Sequence, residues 1–261
     1  GLYPVAELPT AIGLEAAGVV TALGDGVTEF GVGDRVAYAS PPIGAYCEAR
    51  VIPADKIVKL PDSIDDMTAA GMMLQGMTVE YLLRRTFPVK AGQTILVHAA
   101  AGGVGLMMCQ WAKHLGVTVI GTVGSEEKAT LAKANGCEHT ILYRKEDFAA
   151  KVMEITNGAG VPVIYDGIGA DTVEKGFDCL SPLGMMVTFG NASGPVPEIP
   201  VAWLAKGSHF VTRPSLMAYN AKREDMVASA KALFEVVEVG AVKIDIRQTY
   251  PLADAAQSYR D

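Results

Sequence analysis

The segment Ala100-Ala101-Gly102-Gly103-Val104-Gly105 places small residues at A-x-G-x-x-G spacing, directly after the aliphatic run Thr94-Ile95-Leu96-Val97-His98. This spacing suits one chemistry well. Backbone without bulky side chains, at a strand-to-helix turn, can close on a diphosphate; the helix that follows points its positive end at the charge, and the last glycine lets helix and strand touch. The surroundings meet those needs, with a strand pattern before, a helical run over Val104 to Leu115 after, and Val117-Thr118-Val119-Ile120 as the next strand. The plain alternative is a glycine-rich turn with packing duties alone.

The end of that next strand says which nucleotide to expect. A carboxylate about 20 residues past the glycines would accept from a ribose 2′-hydroxyl. Gly121-Thr122-Val123-Gly124-Ser125 offers none before Glu126, and Lys128 stands one helical turn after Ser125. A hydroxyl, a helix N-terminus and an ammonium group together suit a 2′-phosphate, so NADPH is expected over NADH. Against this stands an ordinary N-cap at Ser125 and a solvated lysine at 128, although Ser125-Glu126-Glu127-Lys128 puts Lys where a capping box wants Glu. Tyr143-Arg144, after the third strand, would add stacking and charge near the adenine.

Positioning such a site requires alternating strands and helices, and the chain supplies them from Met77 onward. Helices are expected at 78–85, 104–115, 125–134, 148–156 and 172–180, and strands at 94–98, 117–120, 139–143, 161–166, 185–189 and 209–212. Repeated units of this length predict a parallel, doubly wound sheet with right-handed crossovers. Before Gln75 the texture differs: short strands at 17–23, 35–38 and 57–60 are separated by Gly24-Asp25-Gly26, Gly31-Val32-Gly33-Asp34 and Pro41-Pro42, which suggests a small barrel or sandwich. That part reads as incomplete, because Gly1 is followed within about a dozen residues by a strand pattern, and a fragment of a longer protein is expected. An amphipathic helix over 223–240 and a strand at 243–246, returning to the first domain, close the chain.

Composition narrows the function classes. The 261 residues carry a net charge of −7, which argues against a nucleic-acid or anionic-membrane binder. Half of the residues are hydrophobic and 20% charged, which excludes disorder. Ala91 to Trp111 has no formal charge and membrane-spanning length, but Gly102, Gly103 and Gly105 interrupt it. Cys47, Cys109, Cys137 and Cys179 are scattered without metal-ligand spacing and read as buried, reduced thiols of an intracellular, cytoplasmic protein. Met72-Met73, Met107-Met108 and Met185-Met186 read as core filler, Trp111 as interdomain packing, and Asp166-Gly167 as turn chemistry rather than a catalytic acid.

Taken together, Gly13-Leu14-Glu15-Ala16-Ala17-Gly18, Gln75-Gly76-Met77-Thr78, His98-Ala99-Ala100-Ala101-Gly102-Gly103-Val104-Gly105 and Phe189-Gly190-Asn191 resemble the NADPH:quinone oxidoreductase (zeta-crystallin-like) branch of the zinc-independent medium-chain dehydrogenase/reductases. Tyr143-Arg144-Lys145-Glu146-Asp147-Phe148 and Thr212-Arg213-Pro214-Ser215-Leu216 match bacterial members. The resemblance spans nearly the whole chain, with about fifty family residues lacking at the start and a shorter piece at the end. It implies an α/β fold: a doubly wound parallel Rossmann sheet at 76–216, a partial GroES-like β-barrel catalytic domain at 1–75, and a segment 217–261 returning to that domain.

The resemblance also assigns residues. Gly102, Gly103, Val104 and Gly105 would meet the pyrophosphate, and Gly124, Ser125, Lys128 and Tyr143 the adenosine phosphate. Thr78, Tyr81, Gly167, Phe189, Gly190 and Asn191 would line the nicotinamide side, with Ser215 and Leu216 nearby, and Tyr3 would face the substrate. Zinc-dependent relatives carry a His where Leu14 stands and a four-cysteine lobe for which 39–53 has no room, so a metal-free site is implied and Glu15 is left to structural hydrogen bonds. The implied activity is reduction of a quinone by NADPH in a cytoplasmic homodimer joined through 209–212. Reduction of an enone or enoyl thioester, and NADPH binding without turnover, are the alternatives.

Overall fold

The computed structural model describes residues 8–196 and 198–261. Two compact units emerge: the described part of Gly1–Met77 with Asn220–Glu238 and Ile244–Asp261, and Thr78–Tyr219 with Val239–Lys243.

In the first unit, β1 (Glu15–Val19), β2 (Arg35–Ala39) and β3 (Val58–Lys59) form an antiparallel sheet in that order. Phe30, Val36, Tyr38 and Ile57 make its small core. Arg35 ties the sheet to the start of α1 (Asp66–Tyr81), donating from Nη2 to the Ile64 carbonyl and to Asp66 at 2.6 Å each. Glu15 is used structurally, as expected. Its Oε2 accepts from the Leu74 N–H at 2.7 Å, and burial raises its pKa against the lowering effect of that bond.

The second unit follows from its sequence rhythm. After α1 and a π-helical turn at Leu82–Thr86 come β4 (Thr94–Val97), α2 (Gly103–His114), β5 (Thr118–Val123), α3 (Glu126–Ala134) and β6 (His139–Leu142). Then follow α4 (Phe148–Ile155), β7 (Val161–Asp166), α5 (Val173–Gly176), β8 (Leu180–Thr188), α6 (Val201–Ala205), β9 (Phe210–Thr212) and α7 (Leu216–Tyr219). All six strands are parallel, in the order β6-β5-β4-β7-β8-β9. The central strands read as unbroken apolar runs because both faces are covered: Ile95, Leu96, Val163, Ile164 and Tyr165 are all fully buried. The α/β doubly wound fold expected from the sequence is therefore present.

Three local expectations are corrected. The helix expected at 78–85 begins at Asp66, because Asp65 accepts from both the N–H and the hydroxyl of Thr68 and so caps an earlier first turn. The helix expected over 172–180 stops at Gly176, and β8 already starts at Leu180. A Cβ at Gly176 would lie 2.5 Å from Met186 Cε, so that short helix rests directly on β8. The strand expected at 243–246 is absent. The Ile244 and Ile246 side chains instead pack at Gly71 of α1, where a Cβ would meet Ile246 Cδ1 at 2.5 Å. Their alternation serves side-chain burial, not a hydrogen-bonded ladder. The last helices, α8 (Arg223–Glu238) and α9 (Ala255–Ser258), belong to the first unit.

Candidate functional site

Strand β4 pairs with β5 on one side and β7 on the other, so the direction of winding reverses between β4 and β7. In open α/β sheets this crevice, beyond the carboxyl ends of the strands, is where ligands bind. His98, at the end of β4, donates its N–H to the Tyr165 carbonyl of β7, and Ala100 donates to the Thr122 carbonyl of β5. The glycine segment leaves the sheet at that point.

The shape of the turn explains its composition. Ala99 adopts φ 55°, and its carbonyl accepts from the Gly102 N–H at 2.9 Å. A Cβ at Gly105 would strike that carbonyl and lie 2.8 Å from the Ala100 backbone. Ala100, in the first of the three small positions, is itself fully buried, against Gly121 of β5. Gly102 is the N-cap of α2 and offers no side-chain acceptor, whereas Ser125 caps α3 and Asp147 caps α4. The first N–H groups of α2 are thus without a side-chain cap, at an exposed Gly102-Gly103 turn. Such a helix start suits an anion.

The end of β5 gathers four of the expected residues, Gly124, Ser125, Lys128 and Tyr143. A Cβ at Gly124 would sit 3.9 Å from both Tyr143 Cε1 and Arg144 Nε, and the Arg144 guanidinium lies 5.9 Å from the Tyr143 ring centre. Ser125 Oγ accepts from the Lys128 N–H at 3.3 Å, as an N-cap does. The Lys128 side chain is exposed and makes no ion pair among the described residues.

At the opposite end, two turns zip together. Phe189 and Gly190 donate to the Asp166 carbonyl, and Ala192 donates to that of Gly167. A Cβ at Gly190 would lie 2.8 Å from Gly167 Cα, so the two backbones touch. Asp166 is completely buried. Its Oδ1 accepts from the Ile168 and Gly169 N–H groups and its Oδ2 from the Thr172 hydroxyl. A carboxylate so engaged organises a turn. Arg213 donates from Nη1 to the carbonyls of Thr188 (3.0 Å) and Gly190 (3.2 Å); Asn191, with its amide oriented to suit both neighbours, accepts from Arg213 Nη2 at 3.2 Å.

The remaining expected residues are more dispersed. Thr78 is half-buried near the end of α1. Tyr81 is buried and stacked on Tyr219, with ring centres 4.6 Å apart. Ser215 Oγ accepts from the Ala218 N–H at the start of α7, and Leu216 is buried. Tyr3 lies outside the described residues. Sequence reasoning missed the His98–Thr122 link, Nδ1 to Oγ1 at 2.8 Å, behind the glycine turn. It also gave Arg213 no role beyond a family motif, because its partners are mostly backbone carbonyls of a distant segment.

Described residues contain no group of three His, Cys, Asp or Glu side chains able to hold a metal. A zinc centre does not fit these described residues.

An uncapped helix start after a glycine turn, at the switch point of a doubly wound sheet, is the arrangement of dinucleotide-dependent oxidoreductases, and comparison with known proteins narrows the class. Residues 103–234 match the zinc-binding dehydrogenase family and residues 1–62 the alcohol dehydrogenase GroES-like domain. A quinone oxidoreductase of Pseudomonas aeruginosa is 51% identical, over 100% of this chain and 81% of its own length. A 2-haloacrylate reductase of a Burkholderia species is 48% identical, over 98% of this chain and 78% of its own. The crystal structure of Escherichia coli quinone oxidoreductase complexed with NADPH superposes with a TM-score of 0.96 at 46% identity, covering 100% of this chain and 81% of that one. The chain belongs to the quinone oxidoreductase branch of the medium-chain dehydrogenase/reductase superfamily.

Proposed function

We propose that this protein is an NADPH-dependent quinone oxidoreductase that works without a metal. The observation that carries the reading is the uncapped N-terminus of α2, set where β4 pairs with both β5 and β7. Similarity to a quinone oxidoreductase solved with NADPH supports it.

NADPH, when bound, supplies the reducing equivalents. The protein binds and orients. The N–H groups at Gly102, Gly103, Val104 and Gly105 hold the diphosphate. Ser125 and Lys128, beside Gly124 and Tyr143, hold the 2′-phosphate and adenosine, and no carboxylate repels that phosphate at the end of β5. Gly167, Phe189, Gly190 and Asn191 wall the nicotinamide side, with Thr78, Tyr81, Ser215 and Leu216 as further cofactor residues. The tight seat of Gly190 on Gly167 keeps that wall fixed while the flat acceptor is positioned.

Two further elements belong to this reading. Strand β9 is an edge strand with exposed Phe210 and Val211, suited to pair with a second copy in a homodimer. The four cysteines are free, which fits a cytoplasmic setting, but only Cys109, Cys137 and Cys179 are buried; Cys47 is exposed, against the expectation of four buried thiols. No helix among the described residues is long and apolar enough to cross a membrane.

The test is NADPH and NADH oxidation with a panel of quinones and α,β-unsaturated carbonyl compounds. Quinone turnover with NADPH preference supports the proposal. Turnover of enones alone would favour the second reading, for which similarity to a 2-haloacrylate reductase speaks. Binding of NADPH without oxidation of either panel would contradict both.

A further inference from the structure

A cavity of about 420 Å³ opens beside the Phe189–Asn191 turn, lined among others by Thr188, Asn191, Val196, Ile199, Val211 and Arg213. We infer that it binds a small monocarboxylate carrying an apolar ring or chain, with Arg213 as the anchor.

Arg213 carries the argument. A guanidinium has five N–H donors, and its Nη1 side is taken up by the Thr188 and Gly190 carbonyls while Nη2 gives one hydrogen to Asn191. Nε has no acceptor among the described residues, no carboxylate pairs with this exposed side chain there, and Nε with Nη2 forms one of the edges that carboxylates engage with two parallel bonds. The contacts to Thr188, Gly190 and Asn191 hold the plane of the guanidinium fixed, so little freedom is lost when an anion arrives. Thr188 also lines the cavity. The lining further includes Pro195, Val196, Ile199 and Val211, which suits an apolar body and rejects a second charge. A volume of this size holds one ring or a short chain.

The test is calorimetric titration of the whole chain, without cofactor, using benzoate and its neutral isostere benzamide; its outcome is independent of the NADPH reading. Benzoate should bind saturably at one site and about tenfold or more tighter than benzamide, as a charge-assisted bond requires. Arg213→Met should abolish that preference and Arg213→Lys, which keeps charge and loses the fork, should restore only part of it. Because Arg213 also braces the turn, Val196→Phe serves as the independent variant: it fills the cavity, leaves Arg213 in place, and should weaken benzoate binding about tenfold. Equal affinity for benzoate and benzamide, absence of saturable binding to the folded wild type, or full affinity in Val196→Phe would overturn the assignment.

Discussion

The carbonyl oxygen of Ala99 occupies the space that a side chain at position 105 would need, with the Ala100 backbone 2.8 Å from the same point. The turn at the end of β4 and the first turn of α2 are thus locked to each other through the absence of one methyl group.

Gly105→Ala should therefore disturb this turn more than a methyl group elsewhere would. Both obstacles are backbone and cannot swing aside, so the helix must shift, at a cost of about 1–3 kcal/mol. Thermal melts should record the lost stability. Titration should record at least a tenfold weaker affinity for NADPH.

Charge reversal at the adenosine end should separate the two cofactors. Lys128→Glu should lose about 1.5–3 kcal/mol of NADPH binding, the scale of a charged hydrogen bond, and far less of NADH binding. Comparing KM for each cofactor in wild type and variant checks this. An equal rise for both would remove Lys128 from the phosphate site.

Asp166 offers a graded test of turn organisation. Asp166→Ala strips acceptors from two backbone N–H groups and from Thr172, and should cost about 2–4 kcal/mol in denaturant melts. Asp166→Asn keeps one oxygen for the N–H groups and should cost about 1 kcal/mol. If both variants reduced turnover equally while leaving stability untouched, Asp166 would be chemical rather than structural.

Acid should destabilise the fold partly through His98. Burial lowers its pKa below the ordinary 6.5, opposed by the charge of Asp166. The unfolded chain takes up this proton first, so the stability contribution is complete above pH 6.5 and declines as pH falls below that value toward the folded pKa. His209 is shifted the same way by burial. His98→Asn, which can still bond Thr122, should give a shallower fall of melting temperature between pH 6.5 and 5 than wild type. An unchanged slope would contradict this account of His98.

The readable parts of this fold are those whose information is local. The aliphatic run 94–98 followed by small residues announces strand, turn and helix in one stretch, and the absence of a carboxylate before Glu126 is equally local. The cap at Asp65 is legible in the sequence, but the apolar rhythm that follows is stronger and shifts the expected helix start to 78. The alternation at 243–246 misled because burial of Ile244 and Ile246 against Gly71 produces the same pattern as a half-buried strand. Arg213 was read only as part of a family motif, since its bonds run to carbonyls 23 and 25 residues away and backbone carbonyls have no residue type.

The central claim is that the uncapped start of α2 grips a diphosphate while Ser125 and Lys128 select the phosphorylated ribose. Calorimetric titration of the purified chain with NADPH and then NADH tests it most directly. One NADPH per chain, bound at least tenfold more tightly than NADH, is the predicted result; no heat from either coenzyme, or equal affinity for both, would contradict it.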